Sequence, residues 1–233
     1  TNQQLIENNN PNQYRNLLGL TLGTGFGGGL VSNGNLWIGD NSAGGEVNRM
    51  SQPFNHKNSV EEILSIRGVK RLYGKFAHCE EENTPEPFEI YKIAKGQRKG
   101  NKEAAIEAWN YFGRVLGETM ANAVTITDSL VVIGGGLSGA YDVFLQTAVD
   151  TRISKFEKVG GGSVQRMETY AYNLHNPNCF ADFVQNESQQ IKVPFSDQTV
   201  DYFPVKKVGV GISVLGTSQA VSQGAWDFAV KRV

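Results

Sequence analysis

Short apolar segments separated by glycine define the first part of the chain. Residues 17–22 form an apolar run that ends at a glycine, which is typical of a buried β-strand. Two further apolar segments, residues 29–32 and 36–38, flank the pair Asn33-Gly34, and this arrangement is a strong signal for a β-hairpin. The pattern therefore predicts that the chain opens with a β-meander whose first turn is rich in glycine.

Apolar residues at helical spacing follow further along the chain. They predict helices at residues 58–74, 88–95, 101–126, 141–156 and 218–230. Asn58 or Ser59 can cap the first of these helices, and the two glutamates that follow fall in its first turn. Buried strands are predicted at residues 129–133 and 207–212. The first of them ends at three glycines before a helix, and this strand–glycine–helix unit predicts an α/β fold.

The start of the chain and one long internal segment carry weaker patterns. Residues 1–16 are polar and rich in asparagine, and they predict a loop or a poorly ordered start. Residues 159–206 contain strand-like stretches at 165–172 and 190–194 that are joined by polar sequence. We interpret this segment as an insertion in a domain that covers residues 17–233.

Charge, apolar runs and cysteine content limit the cellular compartments and the binding partners that the sequence favours. The net charge is −1 over 233 residues, so no overall field favours nucleic acid or an anionic membrane. No apolar run is long enough to span a bilayer, and the polar start resembles neither a signal peptide nor a transit peptide. Because Cys79 and Cys179 lie far apart, a reducing cytoplasm is favoured over a disulfide between them. The loop-like start without methionine is interpreted as that of a fragment or a processed form.

The sequence LGTGFGGG at residues 22–29 forms the first candidate site. Glycines on a strand-to-strand turn let backbone N–H groups approach an anion closely, and Thr24 adds a hydroxyl, so the turn suits a polyphosphate. It is not a Walker loop, because no Gly-Lys-Ser/Thr follows, and it is not a Rossmann fingerprint, because a hairpin follows it. The alternative interpretation is a glycine-rich hairpin turn without a ligand.

The sequence VVIGGGLS at residues 131–138 forms the second candidate site. A buried strand ends at three glycines here, and ligands of open α/β sheets bind at such carboxyl ends of strands. The absence of side chains makes a flat backbone surface that suits the base and ribose of a nucleotide. The alternative interpretation is a tight turn between a strand and a helix.

Two glutamates, Glu46 and Glu61, are candidates for binding a polyol. A carboxylate beside small residues can accept hydrogen bonds from adjacent hydroxyls, and two of them converging on one cleft suit a sugar. The alternative for Glu61 is an ordinary acidic residue in the first turn of a helix. Arg49 can reach a sugar oxygen or pair with Glu46, and pairing is favoured. Asp40 is interpreted as an ordinary turn residue.

Taken in order, these segments resemble the ROK family of bacterial sugar kinases and sugar-responsive repressors. LGTGFGGGLV resembles its phosphate-binding hairpin, and VVIGGGLSG resembles its adenosine-side motif. SAGGEV and VEEILS resemble the stretches that carry its two sugar-binding glutamates, and LGTSQAVSQGA resembles its C-terminal helix. The resemblance implies an actin-like, ribonuclease-H-like α/β fold with a mixed sheet and flanking helices. It also implies ATP-dependent phosphorylation of a hexose, as in glucokinase.

The resemblance further implies roles for individual residues. The phosphates of ATP would be contacted by Gly23, Thr24, Gly25, Gly27 and Gly28. The adenosine would be bordered by Gly134, Gly135 and Gly136. The sugar would be held by Glu46 and Glu61, with Arg49 in place of the family's sugar-contacting histidine. Mg²⁺ would accompany the nucleotide, and a homodimer is expected because family members are often dimers.

Two features of the chain depart from the family pattern. Many members carry a cysteine-rich zinc loop between the two glutamates, whereas this chain has MSQPFNHKNS, so no structural zinc is expected. His56 in this stretch is interpreted as a solvated loop residue. The N-terminal domain, which carries the aspartate that acts as base on the sugar hydroxyl, has no counterpart here. No residue of this chain is therefore assigned a catalytic role, and the chain alone is expected to be inactive or nearly so.

Three functions are compatible with these patterns. The first is a sugar kinase of the glucokinase type, and the second is a sugar-sensing repressor of the same family. The intact glycine hairpin favours the kinase, because a repressor does not need ATP. The near-neutral charge and the missing zinc loop favour it weakly. The third function, a non-catalytic actin-like scaffold, is disfavoured because a scaffold does not need the pair Glu46 and Glu61.

Overall fold

The computed structural model describes residues 1–230. Its helices are α1 (Asn2–Glu7), α2 (Ile66–Ala77), α3 (Pro87–Ala94), α4 (Lys102–Thr127), α5 (Leu145–Arg152), α6 (Pro177–Val184) and α7 (Thr217–Val230). Its strands are β1 (Leu17–Leu22), β2 (Phe26–Ser32), β3 (Asn35–Trp37), β4 (Ser51–Gln52), β5 (Asn55–Ser59), β6 (Leu130–Gly134), β7 (Lys155–Glu157), β8 (Ser163–Gln165), β9 (Tyr170–Asn173), β10 (Gln189–Lys192), β11 (Thr199–Tyr202) and β12 (Lys207–Ile212). Short 3-10 segments occur at Val47–Arg49, Val60–Glu62, Glu81–Asn83 and Gly136–Val143.

A six-stranded mixed sheet in the order β3-β2-β1-β6-β12-β9 organises the fold. The first three strands form the predicted antiparallel meander. β1, β6, β12 and β9 run parallel, with Leu20 opposite Ile133 and Ile133 opposite Ile212. The prediction of an α/β fold with a mixed sheet and flanking helices is confirmed. Because β1, β6 and β12 are parallel neighbours, their carboxyl ends lie at the same edge of the sheet.

The core is shared by the sheet and by the helices α4 and α5. Trp109, Phe112 and Phe144 are almost completely buried, and their ring centroids are 5.2 to 6.0 Å apart. Glycine on α4 allows α5 to approach closely, because a Cβ on Gly117 would lie 2.4 Å from the carbonyl oxygen of Ala148. The aromatic cluster and this close crossing hold α5 against α4, next to the 3-10 segment that follows β6.

The start of the chain differs from the predicted loop. Residues Asn2–Glu7 form α1, and Leu5 is buried against Leu130, Phe183 and Val184 in a small second core. This short helix is stabilised by contacts with residues far away in the sequence, which local propensity cannot anticipate.

Tyr14 links the start of the chain to β12, and its ionisation makes the stability of the fold depend on pH. Its hydroxyl donates a hydrogen bond of 2.6 Å to the carbonyl of Lys207. Burial, with a smaller effect of Asp128, raises the pKa of Tyr14 from 10 to about 12. Because the unfolded chain ionises at the lower pKa, the contribution of Tyr14 to the free energy of unfolding is complete below pH 10. It is lost as the pH rises towards 12.

Denaturant unfolding in the alkaline range checks this expectation by comparing the chain with its Tyr14→Phe variant. At neutral pH the variant is expected to lose about 1 kcal/mol of stability, the usual effect of removing one hydrogen bond. Its further loss of stability above pH 10 is expected to be smaller than that of the unmodified chain. Equal losses in both proteins would show that another group causes the alkaline sensitivity.

The helix predicted from residue 58 begins later than expected. Asn58 and Ser59, which were predicted to cap it, are the last two residues of β5. Glu61 and Glu62 lie in the 3-10 segment that follows. α2 starts at Ile66, because the hydroxyl of Ser65 accepts a hydrogen bond from the backbone N–H of Gly68 and caps the helix there. Glu61 therefore lies outside the helix, and the ordinary role in a first helical turn does not apply to it.

The second half of the chain also differs from the predictions. The helix predicted at residues 141–156 is a 3-10 segment followed by the shorter α5. Residues 159–206 were interpreted as an insertion, yet they supply β9 as an edge strand of the main sheet, parallel to β12. The hairpins β7–β8 and β10–β11 form separate small sheets with exposed residues. The segment is therefore partly integral to the fold and partly peripheral.

Candidate functional site

Three connecting segments meet at the carboxyl edge of β1, β6 and β12. Residues 23–25 follow β1, residues 134–136 end and follow β6, and residues 213–216 follow β12. The segment that follows β12 is bonded to β6, because the N–H of Ser213 donates a hydrogen bond of 2.8 Å to the carbonyl of Ile133. This edge is where open α/β sheets bind their ligands, and the two predicted glycine motifs both lie there.

The first glycine turn has both packed and open positions. A Cβ on Gly25 would lie 2.9 Å from Oε2 of Glu61, and one on Gly28 would lie 2.6 Å from Cγ2 of Val47. Packing therefore requires glycine at residue 28, where a Cβ would also lie 2.8 Å from the carbonyl oxygen of Gly45, whereas at residue 25 the end of the Glu61 side chain would have to move. Gly23, in contrast, has no atom within 4 Å of its would-be Cβ. Thr24 beside it is exposed, so the tip of the turn is open to a ligand.

Glu61 contacts this turn directly. Its Oε2 accepts a hydrogen bond of 3.2 Å from the backbone N–H of Phe26, and its Oε1 lies 3.1 Å from Nη2 of Arg67. The segment after it is also anchored to the turn, because the N–H of Ile66 donates to the carbonyl of Gly23 at 2.9 Å. Glu61 thus combines a partly exposed carboxylate with a structural bond to the glycine turn.

Glu46 lies beside β2, because the residues before and after it both pack against Gly28. It precedes the 3-10 segment Val47–Arg49, whose Val47 is buried against Gly28 of β2. The side chains of Glu46 and Arg49 are exposed. Within residues 1–230, no ion pair joins Arg49 to Glu46, so the favoured pairing was wrong. Both charged groups are turned to solvent instead, where a ligand can reach them.

The β4–β5 hairpin brings together the two 3-10 segments beside which the glutamates lie. The N–H of Val60 donates a hydrogen bond of 2.9 Å to the carbonyl of Met50, and the 3-10 segments before and after the hairpin pack together. Glu46 and Glu61, which are fifteen positions apart in the sequence, therefore adjoin the same glycine-rich strand. The structure brings Glu61 against the glycine turn that was predicted to bind phosphate, and it brings the backbone on both sides of Glu46 against Gly28 of β2.

The second glycine motif borders a cavity. Gly135 has φ of +89° and a Cβ there would lie 2.3 Å from the carbonyl oxygen of Leu22, so only glycine fits. Gly136 has no atom within 4 Å of its would-be Cβ, and it lines a cavity of about 280 Å³ together with Phe88 and Tyr91 of α3. An open backbone position beside aromatic rings suits a nucleobase.

Phe88 and Tyr91 were missed by sequence reasoning. Phe88 is 63% exposed, and the two rings stack with centroids 6.5 Å apart. Tyr91 donates to Asp142, and burial, with a smaller effect of that carboxylate, raises the pKa of its phenol. Aromatic residues at helical spacing usually belong to a core, so nothing local indicated that these two border the glycine motif.

The cysteine and histidine side chains form neither a disulfide nor a metal centre in the described part of the chain. Cys79 and Cys179 are both free thiols, so the disulfide alternative is not formed. His56 lies on β5 with Nδ1 3.3 Å from the hydroxyl of Ser51. Within residues 1–230, no group of three histidine, cysteine or acidic residues is arranged to hold a metal ion. The same residues include no helix with the length and apolar character that crossing a membrane requires.

The sheet order and the glycine-lined edge define the class of protein, and the fold is that of the actin-like ATPases. Residues 3–161 match the ROK family, and the chain belongs to this family. The resemblance found in the sequence is thereby confirmed.

Curated relatives of the chain are N-acetyl-D-glucosamine kinases. The enzyme of Photobacterium profundum is 36% identical over 143 residues, which are 53% of this chain and 44% of the relative. The enzyme of Vibrio cholerae is 32% identical over 148 residues, which are 56% of this chain and 46% of the relative. The chain thus matches about half the length of the curated relatives.

Solved structures extend the similarity over the whole chain. A glucokinase from Parabacteroides distasonis superposes on all of it with a TM-score of 0.90 and 38% identity, and the chain covers 62% of that protein. A ROK family glucokinase from Streptomyces griseus, solved with glucose and AMPPNP, has a TM-score of 0.52 and 18% identity over 61% of this chain and 53% of its own. This second similarity shows the fold alone.

Proposed function

We propose that this chain forms the nucleotide- and sugar-binding part of an ATP-dependent hexose kinase of the glucokinase type. The observation that carries the proposal is the contact between the glycine turn at residues 23–25 and Glu61, beside the segment that bears Glu46. This contact supports the proposal, because backbone N–H groups that suit a phosphate then lie beside a carboxylate that suits a polyol. The relatives described above are named as kinases of glucose and N-acetylglucosamine, which favours a kinase over the sugar-sensing repressor.

We assign the phosphates to the open tip of the first glycine turn. Gly23 and Thr24 are accessible there, and the empty space beside Gly23 lets a polyphosphate approach the backbone. Gly25, Gly27 and Gly28 keep the turn free of side chains, although each also has a packing role. Mg²⁺ would come with the nucleotide, since this ion usually keeps several waters and binds substrate phosphates.

We assign the adenosine to the second glycine motif. Gly135 holds the backbone in a shape that other residues cannot adopt, and Gly134 and Gly136 lie on either side of it. The cavity that Gly136 lines is also lined by Phe88 and Tyr91, whose rings can contact the base. The glycine fit and the aromatic wall together suit ATP.

We assign the sugar to Glu46, Glu61 and Arg49. The two carboxylates can each accept hydrogen bonds from adjacent hydroxyls, and the exposed guanidinium of Arg49 can donate to a ring or hydroxyl oxygen. Specificity between glucose and N-acetylglucosamine would depend on Arg49, because it is the position that departs from the family's histidine.

We propose that the catalytic base and a further domain belong to the rest of the protein, since the chain covers 62% of one similar glucokinase. No side chain of α7 is buried, and Val221 and Trp226 on it are about two-thirds exposed. An apolar helix face of this kind suits contact with another domain. Without the base, the chain alone would bind substrates and transfer phosphate slowly or not at all.

We further propose a cytoplasmic homodimer that does not bind nucleic acid through this region. Two free thiols suit a reducing compartment, and the nearly neutral charge gives no attraction to polyanions. The β10–β11 hairpin exposes Ile191, Val200 and Tyr202, which a second copy could cover.

Isothermal titration with AMPPNP and Mg²⁺, with and without glucose or N-acetylglucosamine, tests the proposal. We expect the nucleotide to bind and its affinity to change when the sugar is present. Phe88→Ala is expected to weaken nucleotide binding about tenfold by removing an aromatic contact. Ile126→Ala, a change at a residue 84% exposed on the far end of α4, is the matched control and should have no effect. Sugar binding without any nucleotide binding would contradict the kinase and support the repressor.

A further inference from the structure

A second cavity lies between the β4–β5 hairpin, α2 and Tyr111 of α4. Its volume is about 390 Å³, which falls in the range of small-molecule sites. None of the residues assigned above to phosphate, adenosine or sugar lines it. It therefore belongs to no site described so far.

A buried amide on the wall of this cavity has an unpaired polar atom. Gln52 is only 3% exposed, and its Nε2 donates a hydrogen bond of 3.1 Å to the hydroxyl of Tyr111. Its Oε1 has no hydrogen-bond partner within residues 1–230. Exchanging the two ends of the amide would leave the nitrogen unpaired instead. This oxygen is itself closed to solvent, so it would reach a ligand in the cavity only after the side chain of Gln52 turned outwards.

Arg71 is shared between Glu62 and Glu81, whose Oε1 lies 3.9 Å from its Nε, so Lys75 carries the uncompensated positive charge of the wall. Arg71 and Lys75 stand one turn apart on α2, and Glu62 is the carboxylate that lines the cavity with them. Nη1 of Arg71 lies 2.6 Å from Oε2 of Glu62, and this guanidinium is the main group that holds the pKa of Glu62 below its usual value. Lys75 has no carboxylate within ion-pair distance among the described residues, so its ammonium is available to an anion.

The rim of the cavity offers groups that suit a sugar ring. Phe54 is 52% exposed, and its ring centroid lies 5.5 Å from that of Tyr111. The amide side chains of Asn55 and Asn58 also line the cavity. An aromatic face can cover the C–H face of a pyranose, while amides bind its hydroxyls.

We propose that this cavity binds an anionic sugar, with a phosphorylated hexose as the ligand class. The ammonium of Lys75 and the guanidinium of Arg71 would hold the phosphate, Asn55 and Asn58 would bind hydroxyls, and Phe54 would cover the ring. The choice of a phosphorylated hexose rests on the proposed function, because that compound would be the product of the reaction.

A chain of bonds links the cavity to the candidate sugar site. Arg71 binds Glu62 at 2.6 Å, and the other oxygen of Glu62 lies 2.9 Å from Arg67. Nη2 of Arg67 is also 3.1 Å from Glu61, whose second oxygen holds Phe26 in the glycine turn. A phosphate that draws Arg71 away from Glu62 would therefore alter the support of Glu61. Product bound in the cavity would act on sugar binding through this chain.

Isothermal titration of the chain with glucose 6-phosphate and with N-acetylglucosamine 6-phosphate tests the proposal. At least one is expected to bind more tightly than glucose or inorganic phosphate alone. Lys75→Gln is expected to weaken that binding about tenfold, the usual effect of losing one charge-assisted hydrogen bond. Lys70→Gln is the matched control, because Lys70 lies on the same helix but pairs with Glu86 outside the cavity. It should change the affinity less than about twofold.

Three results would overturn the proposal. Equal affinity for inorganic phosphate would show a simple anion site rather than a phosphosugar site. Binding that survives in Lys75→Gln but is lost in Glu61→Gln would place the ligand in the candidate sugar site. If neither sugar phosphate binds, phosphorylated hexoses are excluded as ligands of the cavity. Failure of the proposed function is recognised separately, because AMPPNP titration of the same chain does not depend on Lys75.

Discussion

Replacement of Glu61 by glutamine is expected to weaken sugar binding about 30- to 150-fold, or about 2–3 kcal/mol, the range for hydrogen bonds to a charged group. The carboxylate can accept hydrogen bonds from two sugar hydroxyls at once, whereas an amide has only one acceptor atom. Glutamine keeps the size of the side chain and an oxygen that can still pair with the N–H of Phe26. Titration with glucose and with N-acetylglucosamine measures the change, and kcat/KM of the full-length protein should fall in parallel.

The neighbouring residue supplies the control for this prediction. Glu62→Gln removes the same charge from the next position, but Glu62 pairs with Arg67 and Arg71 rather than with the glycine turn. Because Glu62 acts on Glu61 only indirectly, through Arg67, we expect it to change sugar affinity by at most about threefold, far less than Glu61→Gln. Equal losses in both variants would mean that the general loss of negative charge, and not contact with Glu61, weakens binding.

Replacement of Gly135 by alanine is expected to destabilise the fold by about 3–5 kcal/mol, the combined effect of backbone strain and overpacking. The backbone of this residue has φ of +89°, and an added Cβ would meet the carbonyl oxygen of Leu22 at 2.3 Å and its nitrogen at 2.7 Å. Both atoms belong to the backbone of β1, so neither can rotate away. Urea unfolding of the two proteins measures the difference.

The adjacent glycine provides a matched comparison. Gly136 has no atom within 4 Å of a would-be Cβ and no positive φ, so Gly136→Ala should change stability by less than about 0.5 kcal/mol. Its methyl group would instead stand on the surface assigned to adenosine, and AMPPNP should bind more weakly. An unchanged AMPPNP affinity would contradict that assignment. Equal destabilisation by both variants would contradict the geometry of the turn.

Much of the sheet could be predicted because its signals are local. The apolar run before Gly23, the Asn33-Gly34 turn and the strand that ends at three glycines each specify structure within a few residues. The order of these motifs also identified the family, and Glu61, one of the residues assigned to the sugar, contacts the glycine turn assigned to the phosphates. Short-range pattern and motif order were sufficient for this part.

Other features depend on contacts between residues far apart in the sequence. The bond between Glu61 and Phe26 spans 35 positions, so its role in holding the turn could not be read from either segment. β9 pairs with β12 across long polar stretches, and its segment was therefore taken for an insertion. Phe88 has the spacing of a core residue, yet α3 leaves it exposed beside Gly136.

In a kinase of the proposed kind, the bond between Glu61 and the N–H of Phe26 would favour an order of substrate addition. Without a sugar, the carboxylate of Glu61, which shares Arg67 with Glu62, stands beside the turn that would receive the triphosphate, and like charges repel each other. A sugar whose hydroxyls bind Glu61 would disperse this charge and make the turn more receptive. The sugar would then enter first, and ATP would meet water in an empty sugar site less often. Futile hydrolysis of ATP would be restrained by the same carboxylate that recognises the sugar.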